Sequence, residues 1–205
     1  MPVFFICFIL FIIWMNVKSK QENKKNSTWN EEFWEKERKA NFVRKKNIED
    51  LDYIIVTEND LPFSATAAGE EKDLQEQVRN LLSQKMLNLS GKSNTDLKLE
   101  YGTANFSTLS EYDQNYTLLI RSLGQWGSFL HKNVPGADIR ARQILEYAIS
   151  LGSDITGTYL SLAEIYLADN DIEKIQQLMK QVDDSEFYMK ESIIRQLKDV
   201  IRSYN

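Results

Sequence analysis

The chain has 205 residues with 25 Lys plus Arg, 30 Asp plus Glu, one Cys, one His, eight Gly and three Pro. The length suits one domain, or a domain plus an anchor. One Cys excludes an intramolecular disulfide or thiolate cluster, one His excludes a two-His zinc site, and so few Gly and Pro argue for long helices over a turn-rich β fold.

Residues 1–17 carry no charge, and Val3 to Met15 is wholly apolar. The stretch sits at the short edge of a membrane-spanning helix, with Trp14 where an aromatic ring would meet the headgroups. Cys7 reads as a small apolar residue within it. Lys18, Lys20, Lys24 and Lys25 follow at once. A cleaved signal peptide is the competing reading, but it wants a basic region ahead of the apolar run, and none is there. We therefore read residues 1–17 as an uncleaved single-pass anchor in the cell membrane. The lysines after it place the rest of the chain on the cytoplasmic side by the positive-inside rule, with the extracytoplasmic side as the alternative.

Residues 18–28 hold no apolar side chain and read as a solvated tether. Residues 29–46 give an incomplete helical stripe of Trp29, Phe33, Trp34, Ala40 and Phe42, so 18–47 forms a charged, partly helical neck. Residues 18–50 carry a net charge of +3 and residues 51–205 a net charge of −8. A mildly basic neck favours anionic lipid beside it, while the overall −5 argues against general nucleic-acid binding. Residues 48–68 break the helical pattern. Tyr53, Ile54, Ile55 and Val56 are β-rich, and Pro62 drives Leu61 to extended dihedrals. This predicts an extended segment laid over a helical body, anchored by Leu51, Tyr53, Ile55, Leu61 and Phe63.

From 69 to 205 the pattern is helical. Leu74, Val78, Leu81, Leu82, Met86 and Leu89 recur at three and four residues and predict a helix over 70–89. Residues 90–102 read as a loop edged by Gly91 and Gly102, with Asn94, Thr95 and Asp96 as a turn. Gly91-Lys92-Ser93 is no phosphate loop, because the Gly five residues earlier is Met86 and a helix precedes it. Thr108 and Glu111 form a capping box for a helix whose seam is Tyr112, Tyr116, Leu119, Leu123, Trp126 and Leu130. Pro135 then opens the next helix. Further helices are predicted near 136–151, 155–168, 171–183 and 186–203, with Asn170 and Glu173 capping the one after Asp169.

Two stretches repeat. Leu123, Trp126, Gly127 and Leu130 precede Ala141, Leu145 and Ala148; Tyr159, Leu162, Ala163 and Tyr166 precede Ile175, Met179 and Val182. This resembles the tetratricopeptide repeat, a helix-turn-helix unit of about 34 residues. The resemblance covers two divergent repeats, about residues 108–184, and lacks the closing Pro: Lys190 stands in its place. It implies an all-α fold, an antiparallel array of helical hairpins with a capping C-terminal helix. It also implies a partner groove lined from the first helices, here Leu160, Glu164 and Leu167, with Glu164 as the polar contact.

No nucleophile, base and oxyanion donor come together in a recognisable order, so no enzyme, cofactor or metal site is expected and no small-molecule substrate is evident. His131 reads as a helix C-terminal residue complementing the dipole. Asn-x-Ser/Thr sequons stand at Asn26, Asn88, Asn105 and Asn115. The sequence thus predicts a membrane-tethered scaffold that recruits a protein partner through a helical-repeat surface. The alternative is an assembly subunit of a cell-envelope complex without a peptide groove.

Overall fold

The computed structural model describes residues 30–204, together with Phe8, Phe11, Ile12, Trp14, Met15 and Lys18. The described residues are all-helical, with no strand among them. α1 covers residues 30–41 and is followed by α2 (Glu70–Leu82), α3 (Asn94–Tyr101) and α4 (Phe106–Asn133). α5 (Asp138–Ser150), α6 (Thr156–Ala168), α7 (Ile172–Asp183) and α8 (Lys190–Tyr204) complete the order, with 3-10 turns at Glu58–Asp60 and Thr103–Asn105. Among the described residues no helix is long and apolar enough to cross a membrane. The expected anchor at 1–17 and the tether at 18–28 lie, but for the six residues named above, outside the described residues.

The chain forms two compact units. The first joins the described residues up to Leu51 with Leu89–Leu109. The second joins Asp52–Asn88 with Ser110–Asn205. The first unit is held by polar bonds more than by area. α1 meets α3 through the fully buried Ala40, a Thr95 hydroxyl that donates to Glu37 at 2.6 Å, and a Glu37–Lys98 ion pair. Lys36 pairs with Asp96 at 2.7 Å. Asp96 also accepts the Ser93 backbone amide at 3.1 Å, while the Ser93 hydroxyl accepts the Asp96 amide at 3.2 Å, closing a capping box at the start of α3. These partners, the Lys36 bond first, hold the Asp96 carboxyl at about 2, well below the usual range.

α3 corrects the expected loop over 90–102. It offers one buried leucine, Leu97, where a full helical stripe needs several, so no periodicity announced it. The buried Asn105 amide donates to the Lys46 and Tyr101 carbonyls, both at 2.8 Å, and the Lys46 amide donates to Tyr101 at 3.1 Å. Gly102 ends α3 with φ 88° and ψ 145°, a region nearly closed to other residues. A Cβ there would lie 2.8 Å from the Arg44 carbonyl carbon and 2.9 Å from the Lys45 Cα, both main-chain atoms. Gly102→Ala should therefore cost about 2 kcal/mol of strain and overpacking. Hydrogen exchange would read it as lost protection at Lys46 and Asn105 with α6 and α7 unchanged. Unchanged protection at both amides would refute the clash.

In the second unit, short connections (134–137, 151–155 and 169–171) fold successive helices against one another. α6 packs on α5, α7 and α8, and α7 packs on α8. The apolar seam sets this arrangement. Leu119, Leu123, Trp126 and Leu130 are fully buried along α4. α6 is apolar around most of its circumference and buries Tyr159, Leu162, Ala163, Ile165, Tyr166 and Leu167. Gly127 lies where a Cβ would stand 2.6 Å from Leu145 Cγ and 3.3 Å from the Ala141 carbonyl, so α4 and α5 close on each other at a position without a side chain. Gly124 meets the Thr158 hydroxyl of α6 in the same way, at 2.6 Å.

Several boundaries move. α2 stops at Leu82, and Met86 and Leu89 are buried from non-helical backbone. α4 starts at Phe106, straight out of the 3-10 turn Thr103–Asn105, so Thr108 lies inside the helix and caps nothing. Pro135 sits in the turn before α5, whose first residue is Asp138. Asp171, not Asn170, caps α7, accepting the Lys174 amide at 3.2 Å, while Asn170 takes the left-handed φ of 58° that ends α6.

The non-helical segment of the second unit also departs from its expected phase. Ile54 donates its amide to the Met86 carbonyl at 3.0 Å and packs on the core with Val56, while Ile55 is 81% exposed. With one backbone bond and no ladder, nothing enforces the two-residue alternation that put Ile55 inside. Tyr53, Leu61 and Phe63 do act as anchors. Tyr53 meets Tyr112 edge-on at 5.8 Å, Leu61 is buried, and Phe63 stacks on Trp126 at 5.1 Å. Leu51 is half-buried in the first unit.

Candidate functional site

The ends of two helices and the middle of a third meet at His131. It occupies the last turn of α4, at the carbonyl end of the helix. Asp138 stands seven residues on, in the first turn of α5, where a carboxylate complements the amide end. The turn 134–137 brings them together, with His131 Nδ1 2.7 Å from Asp138 Oδ1. The other ring nitrogen, Nε2, lies 3.5 Å from the Glu164 carboxylate on α6. One imidazole thus bridges carboxylates from two neighbouring helices. The ring is 19% exposed and the carboxylates 54% and 46%, so the acids face outward with the ring behind them. Ile139, the next residue of α5, is 66% exposed, a large apolar side chain beside this acidic patch.

The three groove candidates part company here. Glu164 is exposed and sits in the cluster. Leu160 is half-buried against the core, and Leu167, at 9% exposure, belongs to the core itself. Leu167 is therefore corrected from a groove contact to a packing residue, because α6 is enclosed by α5, α7 and α8. Among the residues assigned to repeat packing, Leu123, Trp126, Leu130, Ala141, Leu145, Ala148, Tyr159, Leu162, Ala163, Tyr166, Ile175 and Val182 are buried. Gly127 lies against Leu145, and Met179 is half-buried because Leu178 takes the inner position on α7.

Asp138 and Ile139 were not singled out by sequence. The available signal was the pairing of a helix-terminal His with an Asp just past a Pro-containing turn. An Asp at a helix start ordinarily signals only a cap, so it drew no attention.

A second concave feature is a cleft of about 240 Å³ between α5, α6 and α7, with Leu162 and Leu178 in its wall. Three of its polar members, Glu146, Tyr166 and Lys174, are engaged with one another or with neighbours. The Tyr166 hydroxyl donates to Glu146 at 2.7 Å, and Lys174 lies 5.1 Å from the Tyr166 ring centroid and 3.3 Å from Asp171. Burial, reinforced by the Glu146 bond, pushes the Tyr166 phenol far above its ordinary value. Burial likewise pushes Tyr116 and Tyr159 up to about 12. Their hydroxyls donate to the Leu151 carbonyl at 2.9 Å and the Ser153 carbonyl at 2.8 Å. All three stay protonated as donors, Tyr166 to a neighbouring helix and Tyr116 and Tyr159 to the connection 151–155, and are unsuited to act as phenolate nucleophiles.

Among the described residues no group of three or more His, Cys, Asp or Glu is placed to hold a metal ion. Of the four sequons, Asn26 lies outside the described residues. Asn105 is 1% exposed with its amide committed to two carbonyls, so a glycan cannot be accommodated there in the folded chain. The Asn115 amide donates to the Lys85 carbonyl at 3.1 Å, and that of Asn88 to the Tyr116 hydroxyl at 3.1 Å. No family model matches the chain, and neither a curated protein nor a solved structure does.

Proposed function

We propose that this protein is a membrane-tethered interaction module. In this reading the uncharged apolar residues 1–17 span the cell membrane once, and the second unit is a divergent tetratricopeptide-like array that presents a surface to a partner protein. The observation that carries it is the outward-facing patch at the α4–α5–α6 junction. His131 lies 2.7 Å from Asp138 and 3.5 Å from Glu164, and Ile139, next to Asp138 on α5, is an exposed apolar side chain. An apolar side chain held on a rigid helix and rimmed by oriented charge is how protein interfaces concentrate binding energy. The partner is expected to offer a basic group to the carboxylates and an apolar pocket to Ile139. The spacing of Gly127 against α5 supports the repeat reading, since close approach at that position is what the repeat pattern demands.

Site-specific photocrosslinking of the full chain in native membranes tests this. A photoreactive residue in place of Ile139, or of Glu164, should give the same discrete protein adduct, and one in place of the still more exposed Ile55 should not. Adding Asp138→Lys should abolish the adduct formed from position 139. Identical adducts from all three positions, or none from 139 and 164, would rule out this surface.

A further inference from the structure

We propose that residues 34–46 of the first unit form a docking surface for an anionic lipid bilayer, separate from the apolar anchor. The inference rests on the membrane tether proposed above and adds a second, electrostatic contact to it.

The segment 38–46 reads RKANFVRKK, with basic residues at Arg38, Lys39, Arg44, Lys45 and Lys46 and no acid among them. In the middle stands Phe42, 88% exposed. Trp34, 58% exposed, lies four residues before Arg38, which lies four before Phe42, so the three share one stripe along α1 and its end. The opposite stripe faces α3 and consumes charge there: Glu37 pairs with Lys98 and Lys36 with Asp96. Lys39 is matched by Glu35 at 2.9 Å. Arg38, Arg44, Lys45 and Lys46 form no ion pair among the described residues. Of the other acids, Glu31 and Glu32 at the start of α1 and Glu49 and Asp50 past its end flank the cluster, while Glu100 of α3, whose carboxyl Lys92 above all and Lys46 in part hold below the usual range, is already paired with Lys92.

The basic side chains project from fixed backbone. The Phe42 and Val43 amides donate to the Lys39 and Ala40 carbonyls, both at 3.2 Å, closing the end of α1. Arg44 and Lys45 abut Gly102, and Lys46 is bonded to Tyr101. An exposed aromatic pair at α1 and its end, beside cations that form no ion pair among the described residues, fits the headgroup layer. The rings reach the acyl boundary and the cations meet lipid phosphate and carboxylate. The acidic balance of the whole chain disfavours the competing polyanion, nucleic acid.

The full chain, in a Cys7→Ser background, would carry an environment-sensitive fluorophore on Asn41→Cys and be reconstituted into vesicles. One set is phosphatidylcholine alone; the other includes phosphatidylserine. The emission should shift to the blue only with phosphatidylserine and return toward the aqueous value at high salt. Arg44→Gln with Lys45→Gln and Lys46→Gln should weaken docking about a hundredfold, at roughly fivefold per basic side chain. Phe42→Ser should reduce the shift while leaving its salt dependence. The same fluorophore on Tyr188→Cys, 98% exposed in the second unit, should stay aqueous throughout. An aqueous spectrum at position 41 in both vesicle types overturns the docking surface. A shift produced only by added polynucleotide assigns the patch to that polyanion and overturns the lipid. Flotation after a carbonate wash reads the anchor by itself, so loss of the tether and loss of the patch are told apart.

Discussion

Trp126→Ala should destabilise the second unit by about 3–5 kcal/mol, the range for removing a large buried aromatic. Trp126 is fully buried in α4, within the cluster formed by α4, α5 and α6. It also carries Phe63, stacked on it at 5.1 Å, and Phe63 in turn lies under the Arg79 guanidinium at 4.4 Å. Truncation therefore opens a cavity and unseats the non-helical segment at once. Proteolysis should cut first near residues 63–68, before the helices open. Among the described residues the indole N–H has no hydrogen-bond partner, so its burial costs free energy that the ring's packing offsets. It follows that Trp126→Phe, which removes the orphan donor and keeps an aromatic ring, should cost about 1 kcal/mol, far less than alanine. Urea denaturation of the full chain measures both. A phenylalanine variant as unstable as the alanine variant would show that the whole indole is required and that its unpaired N–H is no burden.

That seam was legible because α4 repeats its apolar residues at three and four over several turns, and tertiary packing does not override so sustained a pattern. The same holds for α5 to α8, whose boundaries fall within a few residues of the expected ones. In each departure a local signal is overridden by structure it does not encode, next to it in one case and far along the chain in the others. Thr108 and Glu111 have the form of a capping box, but the 3-10 turn at Thr103–Asn105 hands the chain directly into α4. α3 has too few apolar residues to show a period, and its stability comes from Glu37, Lys36 and Ala40 some 60 residues earlier. Ile55 and Val56 are equally apolar in the sequence, and contacts far along the chain, the Ile54–Met86 bond among them, accompany the turn of Val56 inward.

The candidate site follows the same rule. Glu164 was identified through its position on a first helix, and its exposure agrees with a surface role. Leu167 was identified by the same logic and is buried, because α8 closes over α6 in a way that no residue of α6 announces. The cluster of Asp138, His131 and Glu164 draws on three helices, so its members are scattered in the sequence and each has an ordinary helix-end or surface explanation alone.

The network behind that site gives the second large effect. Glu71 of α2 is 7% exposed, and its Oε1 accepts from Arg140 of α5 at 2.6 Å and from Gln75 at 3.0 Å. The Gln75 carbonyl oxygen in turn accepts the Ser64 amide at 3.2 Å, so one chain of bonds ties the non-helical segment, α2 and α5. Arg140→Met leaves a buried carboxylate with a single neutral partner and should cost about 3 kcal/mol. The penalty belongs mostly to the stranded charge and not to the lost bond. Adding Glu71→Gln in the Arg140→Met background should therefore recover about 1–2 kcal/mol, although it replaces a second native residue. A double-mutant cycle in urea isolates this coupling, and strict additivity would mean that water already screens the pair. Arg140 follows Ile139 on the first turn of α5, so loss of the network should also loosen the patch. In the Arg140→Met variant, crosslinking from position 139 should weaken, and the Glu71→Gln double variant should restore it. If crosslinking tracked the arginine and not the stability, Arg140 would itself be touching the partner.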